Sequence, residues 1–261
     1  MYIIETLLNS NDAIVAVLGI LAFLLAIILA FVLHEMGHAY AAKWNGDLTA
    51  QAAGRLSFNP IVHIDPIGFI MLLFVGFGYA KPVPVNPYNF KHPKKGLLTV
   101  SLAGVIVNFA LAVLSMFFYV LIVFIIDMNA EILSSDAGYY VFFFFHLFFR
   151  LMITINISLM LFNLLPLGPL DGLKVLEALT RRGNKIVTFL RNYGVYILYG
   201  LIGLTIIVSY TVEYAEIMRY FDLIGMYISY GVNFIGGGIT SLFMLMFGIE
   251  PIWIGGLFFW Y

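Results

Sequence analysis

His34-Glu35-Met36-Gly37-His38 closes a hydrophobic run in which residues 13–33 carry no charge and no proline. Two histidines and a carboxylate at the end of such a run are costly in lipid, and ionisable residues inside a membrane are functional candidates by default. Four residues apart on a helix, His34 and His38 lie on one face, one turn from each other. Both imidazoles therefore reach a single metal ion. Glu35 points roughly 100° around the helix, beside the metal rather than on it. This is the arrangement of a zinc hydrolase whose glutamate acts on the water that the metal activates. The plain alternative is that the histidines pack between helices and bond to neighbours. Unpaired polar groups cost more in a membrane segment than in a soluble helix, which weighs towards the metal.

The surrounding composition agrees with a membrane setting. Of the 261 residues 62% are hydrophobic and only 10% are charged, against roughly 25% charged in a soluble domain. No polar block is long enough for a second, soluble domain, so the expectation is one integral membrane domain over residues 1–261. It divides into a catalytic core at 13–179 and a C-terminal transmembrane extension at 193–261. The net charge of −1 leaves no basic footprint for nucleic acid. There are no cysteines, which excludes disulfides and thiolate metal sites. Residues 1–12 contain no Lys or Arg, unlike the basic start of a signal peptide. The first run also carries the metal motif and is read as retained.

About six hydrophobic segments follow one another: 13–44, 67–79, 97–126, 139–165, 193–210 and a tail from 223. The fold class is all-α and polytopic. Lys43, Arg55, Lys81, Lys91, Lys94 and Lys95 lie from the end of the first segment to the start of the third, and Lys174, Arg181, Arg182, Lys185 and Arg191 between the fourth and fifth. The linker between the third and fourth segments holds only acidic charges, Asp127, Glu131 and Asp136. The positive-inside bias places both basic regions in the cytoplasm and the acidic linker outside. Segment 67–79 then has both flanks on one side. As a helix it would reach about 20 Å, against a bilayer core of roughly 30 Å. A membrane-embedded, re-entrant loop is expected; a short tilted spanning helix is the alternative. Residues 46–57 show loose alternation at Leu48, Ala50, Ala52 and Leu56, which fits a short β-hairpin able to pair with an extended substrate. In the tail, Gly236-Gly237-Gly238 and Pro251 read as breakers, leaving one spanning helix and a second, interfacial piece.

A catalytic zinc usually keeps three protein ligands. The best third candidate is Asp171, in Asn163-Leu164-Leu165-Pro166-Leu167-Gly168-Pro169-Leu170-Asp171-Gly172. Pro166, Gly168 and Pro169 break the fourth helix on the same side as His34 and His38. Unwound backbone at membrane depth lines a cavity, and Asp171 would face it. Asp171 as a plain N-cap of the next helix and His63 as the third ligand are the alternatives.

With both stretches in view, the chain resembles the site-2 protease family of intramembrane zinc metalloproteases. His34-Glu35-Met36-Gly37-His38, Asn163-Leu164-Leu165-Pro166 and Leu170-Asp171-Gly172 carry the resemblance. Gly54-Arg55-Leu56-Ser57-Phe58-Asn59-Pro60 and Ala80-Lys81-Pro82-Val83-Pro84-Val85-Asn86-Pro87 look like its compact bacterial branch, which lacks a PDZ domain. The resemblance implies a three-helix core, zinc on His34, His38 and Asp171, and Glu35 as general base. It also implies a transmembrane protein or peptide as substrate and a place in the bacterial inner membrane. The family's Gly-Pro-x-x-Asn appears as Gly104-Val105-Ile106-Val107-Asn108, with valine at the proline. Gly168 stands at the first proline of the family's Pro-Pro-Leu-Asp-Gly.

Asn163 and Asn108 sit within or at the end of hydrophobic helices. They either bond between helices or bind substrate backbone, a role that the resemblance favours for Asn163. His63 and Asp65 either orient a ligand or fix the embedded loop. His146 and Arg150, one turn apart in an apolar helix, pair internally or snorkel. The functional reading is an intramembrane zinc endopeptidase with its site toward the cytoplasm. A divalent-metal transporter using the same His and Asp groups is the rival, although a transport path should show several ligand clusters or repeated halves. A membrane-anchored protease of soluble tails is the second.

Overall fold

The computed structural model describes residues 12–75, 78–181, 183–211 and 220–250. Eight α-helices appear among them: α1 Ala13–Trp44, α2 Thr49–Ala52, α3 Pro66–Val75, α4 Pro93–Met128, α5 Asp136–Leu164, α6 Asp171–Leu179, α7 Lys185–Thr211 and α8 Leu223–Met246. Five of them, α1, α4, α5, α7 and α8, are long and apolar enough to cross a membrane. The chain is an all-α integral membrane protein.

Helix α1 starts where the Asp12 carboxylate accepts from the amides of Ile14 and Val15 at 2.8 and 3.3 Å and stops before Gly46, whose φ is 102°. Its residues are apolar all round, so shape rather than hydrophobicity decides which face is buried. Ala22, Ala26 and Ala30 are fully buried, while Leu21, Leu25 and Leu29 stay exposed. Small side chains let helices approach closely in lipid; Leu151 and Met152 of α5 pack into the alanine face, with Leu111 of α4 beside them. These three helices form the core. Helix α8 covers its far side, Val232 and Met244 packing on Met116, Val120, Ile153 and Ile157. The connection 165–170 is enclosed by Leu198 of α7 and Ile224 of α8.

Helix α3 has the geometry of a loop that enters and leaves on one side. Asp65 caps its start through Ile67 and Gly68 at 3.0 and 2.9 Å. Behind the helix the chain returns so that Ile64 bridges Ala80 and the Lys81 amide donates to the His63 carbonyl at 2.8 Å. The return passes so close that a Cβ on Gly68 would overlap the Tyr79 carbonyl. Ten residues reach about 15 Å, half of a bilayer core. The short spanning alternative does not occur.

Two expectations need correction. Residues 46–57 are not a hairpin: Thr49–Ala52 is a helical turn. Asp47 accepts from the Thr49 amide at 3.1 Å, which starts a turn, and alanines at 50, 52 and 53 favour helix over strand. The alternation was that of Ala50 packing inward. Gly236-Gly237-Gly238 does not break α8 either, which continues to Met246. Helical hydrogen bonding is the only way to satisfy a lipid-exposed backbone there. The expected interfacial piece after Pro251 falls outside the described residues.

The two basic regions lie at one end of the bundle, where Lys94 Nζ donates to the Thr180 carbonyl at 3.0 Å. Further along α4, within the bundle, the Tyr119 hydroxyl is hydrogen-bonded to His146 Nε2 at 3.1 Å.

Candidate metal centre

Three elements meet at one point. The second half of α1 brings His34, Glu35 and His38, α4 crosses beneath them, and α6 begins with Asp171. The crossing is close because two glycines face it. A Cβ on Gly37 would lie 2.9 Å from Val107 Cγ2, and one on Gly104 would lie 2.5 Å from His38 Nε2 and 2.6 Å from His34 Cε1. Asp171 arrives because the broken connection 165–170 turns α6 back under the bundle, with Gly172 pressed against the Leu164 and Leu165 carbonyls.

His34, His38 and Asp171 are buried and their ligand atoms all lie within 4.8 Å of one another. Nε2 of His34 and Nε2 of His38 are 3.1 Å apart, and Asp171 Oδ2 is 3.5 and 2.9 Å from them. Each imidazole is engaged at its other nitrogen by an oxygen. His38 Nδ1 is 2.7 Å from the Val100 carbonyl, and His34 Nδ1 meets Asn108 Oδ1. An oxygen acceptor draws the ring proton to Nδ1, which leaves a lone pair on Nε2. Two lone pairs and a carboxylate oxygen thus converge with no proton among them, an arrangement that a cation resolves. Ligands at about 2.0–2.1 Å in a tetrahedron stand about 3.3 Å apart, close to the observed separations. The donor set fits zinc. Lys174 Nζ sits on Asp171 Oδ1 at 3.0 Å, so the two carboxylate oxygens have different partners.

Glu35 stands beside this group and points to the return arm of the α3 loop, where its Oε2 accepts from the Val83 amide at 2.8 Å. That arm is itself fastened: Asp47 Oδ2 accepts from the Asn86 amide at 2.7 Å and Asp47 Oδ1 from Asn89 Nδ2 at 2.8 Å. All four side chains line a cavity of about 510 Å³, whose walls include Phe31, Leu97, Leu159, Phe162 and Tyr199.

A comparison with known proteins bears on this geometry. The model of peptidase family M50 matches residues 131–205, which include Asp171. A relative from Bacillus subtilis strain 168, named "Putative zinc metalloprotease YwhC", is 39% identical over 188 residues, 71% of this chain and 81% of its own length. The chain belongs to peptidase family M50, the site-2 proteases. No solved structure matches it. As a site-2 protease it departs from the family pattern at Val105, yet α4 runs unbroken through Gly104 and Asn108. The small residue at 104, rather than a proline, is what the histidines require.

The other candidates fall in different places. Asn163 lines the cavity and its Nδ2 donates to the Leu159 carbonyl at 3.0 Å. Asn108 is fully buried behind His34 and does not line the cavity. His63 is held by the Ser57 carbonyl at 2.8 Å, away from the ligand group, and with Asp65 it belongs to the frame of the α3 loop. Reading the sequence missed Asn156, which is fully buried and bonded to Asn108, and the Val83 amide. Asn156 looks like any polar residue in an apolar helix. The backbone contact had one signal: Pro82 and Pro84 lack amide hydrogens, so Val83 is the donor that remains between them.

Proposed function

We propose that this chain is an intramembrane zinc endopeptidase that cuts peptide bonds in or near transmembrane segments of other membrane proteins. The observation that carries the reading is the convergence of His34, His38 and Asp171 beside Glu35 in a cavity inside a membrane bundle. Zinc supplies two things when held by these three residues: it acidifies a water towards neutral pH and polarises a carbonyl.

The chain's own groups do the rest. Glu35, fixed by the Val83 amide, removes the proton from the attacking water and delivers it to the leaving amine. The apolar walls receive a hydrophobic segment, and Asn163 holds its backbone. A helical substrate hides its carbonyls in the i→i−4 ladder and must be extended before cleavage. The arm 78–85 borders the cavity and offers backbone groups to an extended peptide. Both basic regions lie at one end of the bundle, and Pro87, Leu97 and Lys174 from that end line the cavity; with the positive-inside bias, that end is cytoplasmic and water enters there. The membrane is the bacterial inner membrane, and residues 13–179 form the catalytic core of one membrane domain. Among the described residues a single His and Asp group converges closely enough to hold a metal, which favours an enzyme over a transport path with several stations.

The test is cleavage of a model transmembrane substrate by the purified protein in detergent, wild type beside Glu35→Gln, with zinc quantified in both. Loss of cleavage with zinc retained supports the assignment. Cleavage that survives Glu35→Gln sinks the mechanism, and cuts confined to soluble tails sink the substrate class.

A further inference from the structure

A chain of buried amides runs from His34 across two helices. Asn156 Nδ2 lies 2.8 Å from the Met152 carbonyl, one turn back on α5. A carbonyl only accepts, so the nitrogen of Asn156 must face it. The oxygen of Asn156 is thereby turned to α4, 2.7 Å from Asn108 Nδ2. Asn108 has to answer an oxygen with its NH2 group, and this turns Asn108 Oδ1 to His34 Nδ1. His34 can only donate there. Its proton is fixed on Nδ1 and its Nε2 is left bare towards His38 and Asp171. The orientation of an amide is set by its network, and here every link follows from one backbone carbonyl. Neither amide can flip without bringing two donors or two acceptors together. Both asparagines are fully buried, so water does not compete. His38 obtains the same outcome from a single carbonyl, Val100.

We propose that Asn156 is a positioning residue for zinc binding: through Asn108 it locks His34 in the tautomer whose Nε2 can ligate. The inference rests on the zinc reading given above. Without Asn156, Asn108 is free to present its NH2 to His34. The imidazole then accepts at Nδ1, carries its proton on Nε2, and loses its lone pair on the metal side.

The experiment measures zinc affinity by chelator competition on the full chain in detergent, for wild type, Asn156→Leu, and Asn156→Leu combined with Asn108→Asp. Removing a group that orients a ligating histidine typically weakens metal binding by roughly 10–100-fold, and that loss is expected for Asn156→Leu. The double variant is expected to recover most of it, because a carboxylate at 108 only accepts and needs no partner to orient it. Packing damage alone would not be repaired in this way. Wild-type affinity in Asn156→Leu, or no recovery in the double variant, overturns the proposal. If the wild type itself binds no zinc, the metal reading fails as well as this one. Should the variants misfold, the 15N spectrum of histidine-labelled, metal-free wild type decides: a proton on Nδ1 of neutral His34 is expected, and a proton on Nε2 refutes the lock.

Discussion

Replacing Gly104 by alanine adds one methyl group against both histidines. Its carbon would lie 2.5 Å from His38 Nε2 and 2.6 Å from His34 Cε1, about 1 Å inside the ordinary contact distance of roughly 3.5 Å. Overpacking of this kind costs about 1–3 kcal/mol. Alanine in place of glycine returns about 0.8–1 kcal/mol of helix propensity to α4. The gain offsets the lower end of that cost and leaves a net of about 0–2 kcal/mol in the fold, while the clash falls entirely on the imidazoles. They must shift by an amount comparable to the roughly 0.5 Å within which a site has to be held. If the cost of about 1–3 kcal/mol is felt in binding, zinc affinity falls about 5- to 150-fold. The assay is chelator competition in detergent, beside thermal unfolding of the metal-free protein. The expected result is weakened zinc binding with little change in the unfolding temperature, and cleavage that recovers as zinc is raised. Wild-type zinc affinity in Gly104→Ala, or a loss of zinc that merely follows unfolding, would refute the reasoning.

Val83→Pro removes the amide that holds Glu35 while Val83→Ala keeps it; because one positioned hydrogen bond to a charged group is lost, the proline variant should lose about 10–100-fold in kcat, with zinc content unchanged and the alanine variant near wild type. Asp47 is buried, which pushes its carboxyl up, but bonds from Thr49, Asn86 and Asn89 outweigh this and lower its pKa. Its contribution is therefore full above the unfolded value of about 3.9 and is lost as pH falls through the lower folded value. Asp47→Ala should cost about 1.5–3 kcal/mol near neutral pH and flatten the acid limb of a thermal-unfolding profile; an unchanged acid limb would contradict the assignment. Removing zinc with a chelator should abolish cleavage and lower stability by about 2.7 kcal/mol relative to zinc at 100 times its dissociation constant; identical melting with and without zinc would argue against a folded-state metal site.

The parts of the fold that follow from composition and spacing were legible in the sequence. The spanning helices, the shared end of the two basic regions and the return of the α3 loop each follow from length, charge and hydropathy. His34, His38 and Asp171 were readable as a set because ionisable residues in apolar runs have few other reasons to exist. The structure brings them together. What stayed hidden depends on contacts between elements distant in the chain. Gly104 has meaning only once α4 is seen to cross under the histidines. For Asn108 the sequence left open a bond between helices or a contact with substrate; it bonds between helices, to Asn156 of α5 and to His34 of α1. The hairpin at 46–57 was misread because alternation over small residues does not distinguish a strand from a helical turn seated on Ala50.

Glu35 depends on backbone, and backbone offers no substitute side chain. On either side of Val83 the chain carries a proline nitrogen without hydrogen, at Pro82 and Pro84. A slip of the arm by one residue in either direction would face the carboxylate with a ring instead of a donor. The α3 loop and helix α1 are therefore keyed to each other in a single register. An insertion of one residue between Lys81 and Val83 should silence the enzyme even though it changes no side chain at the site.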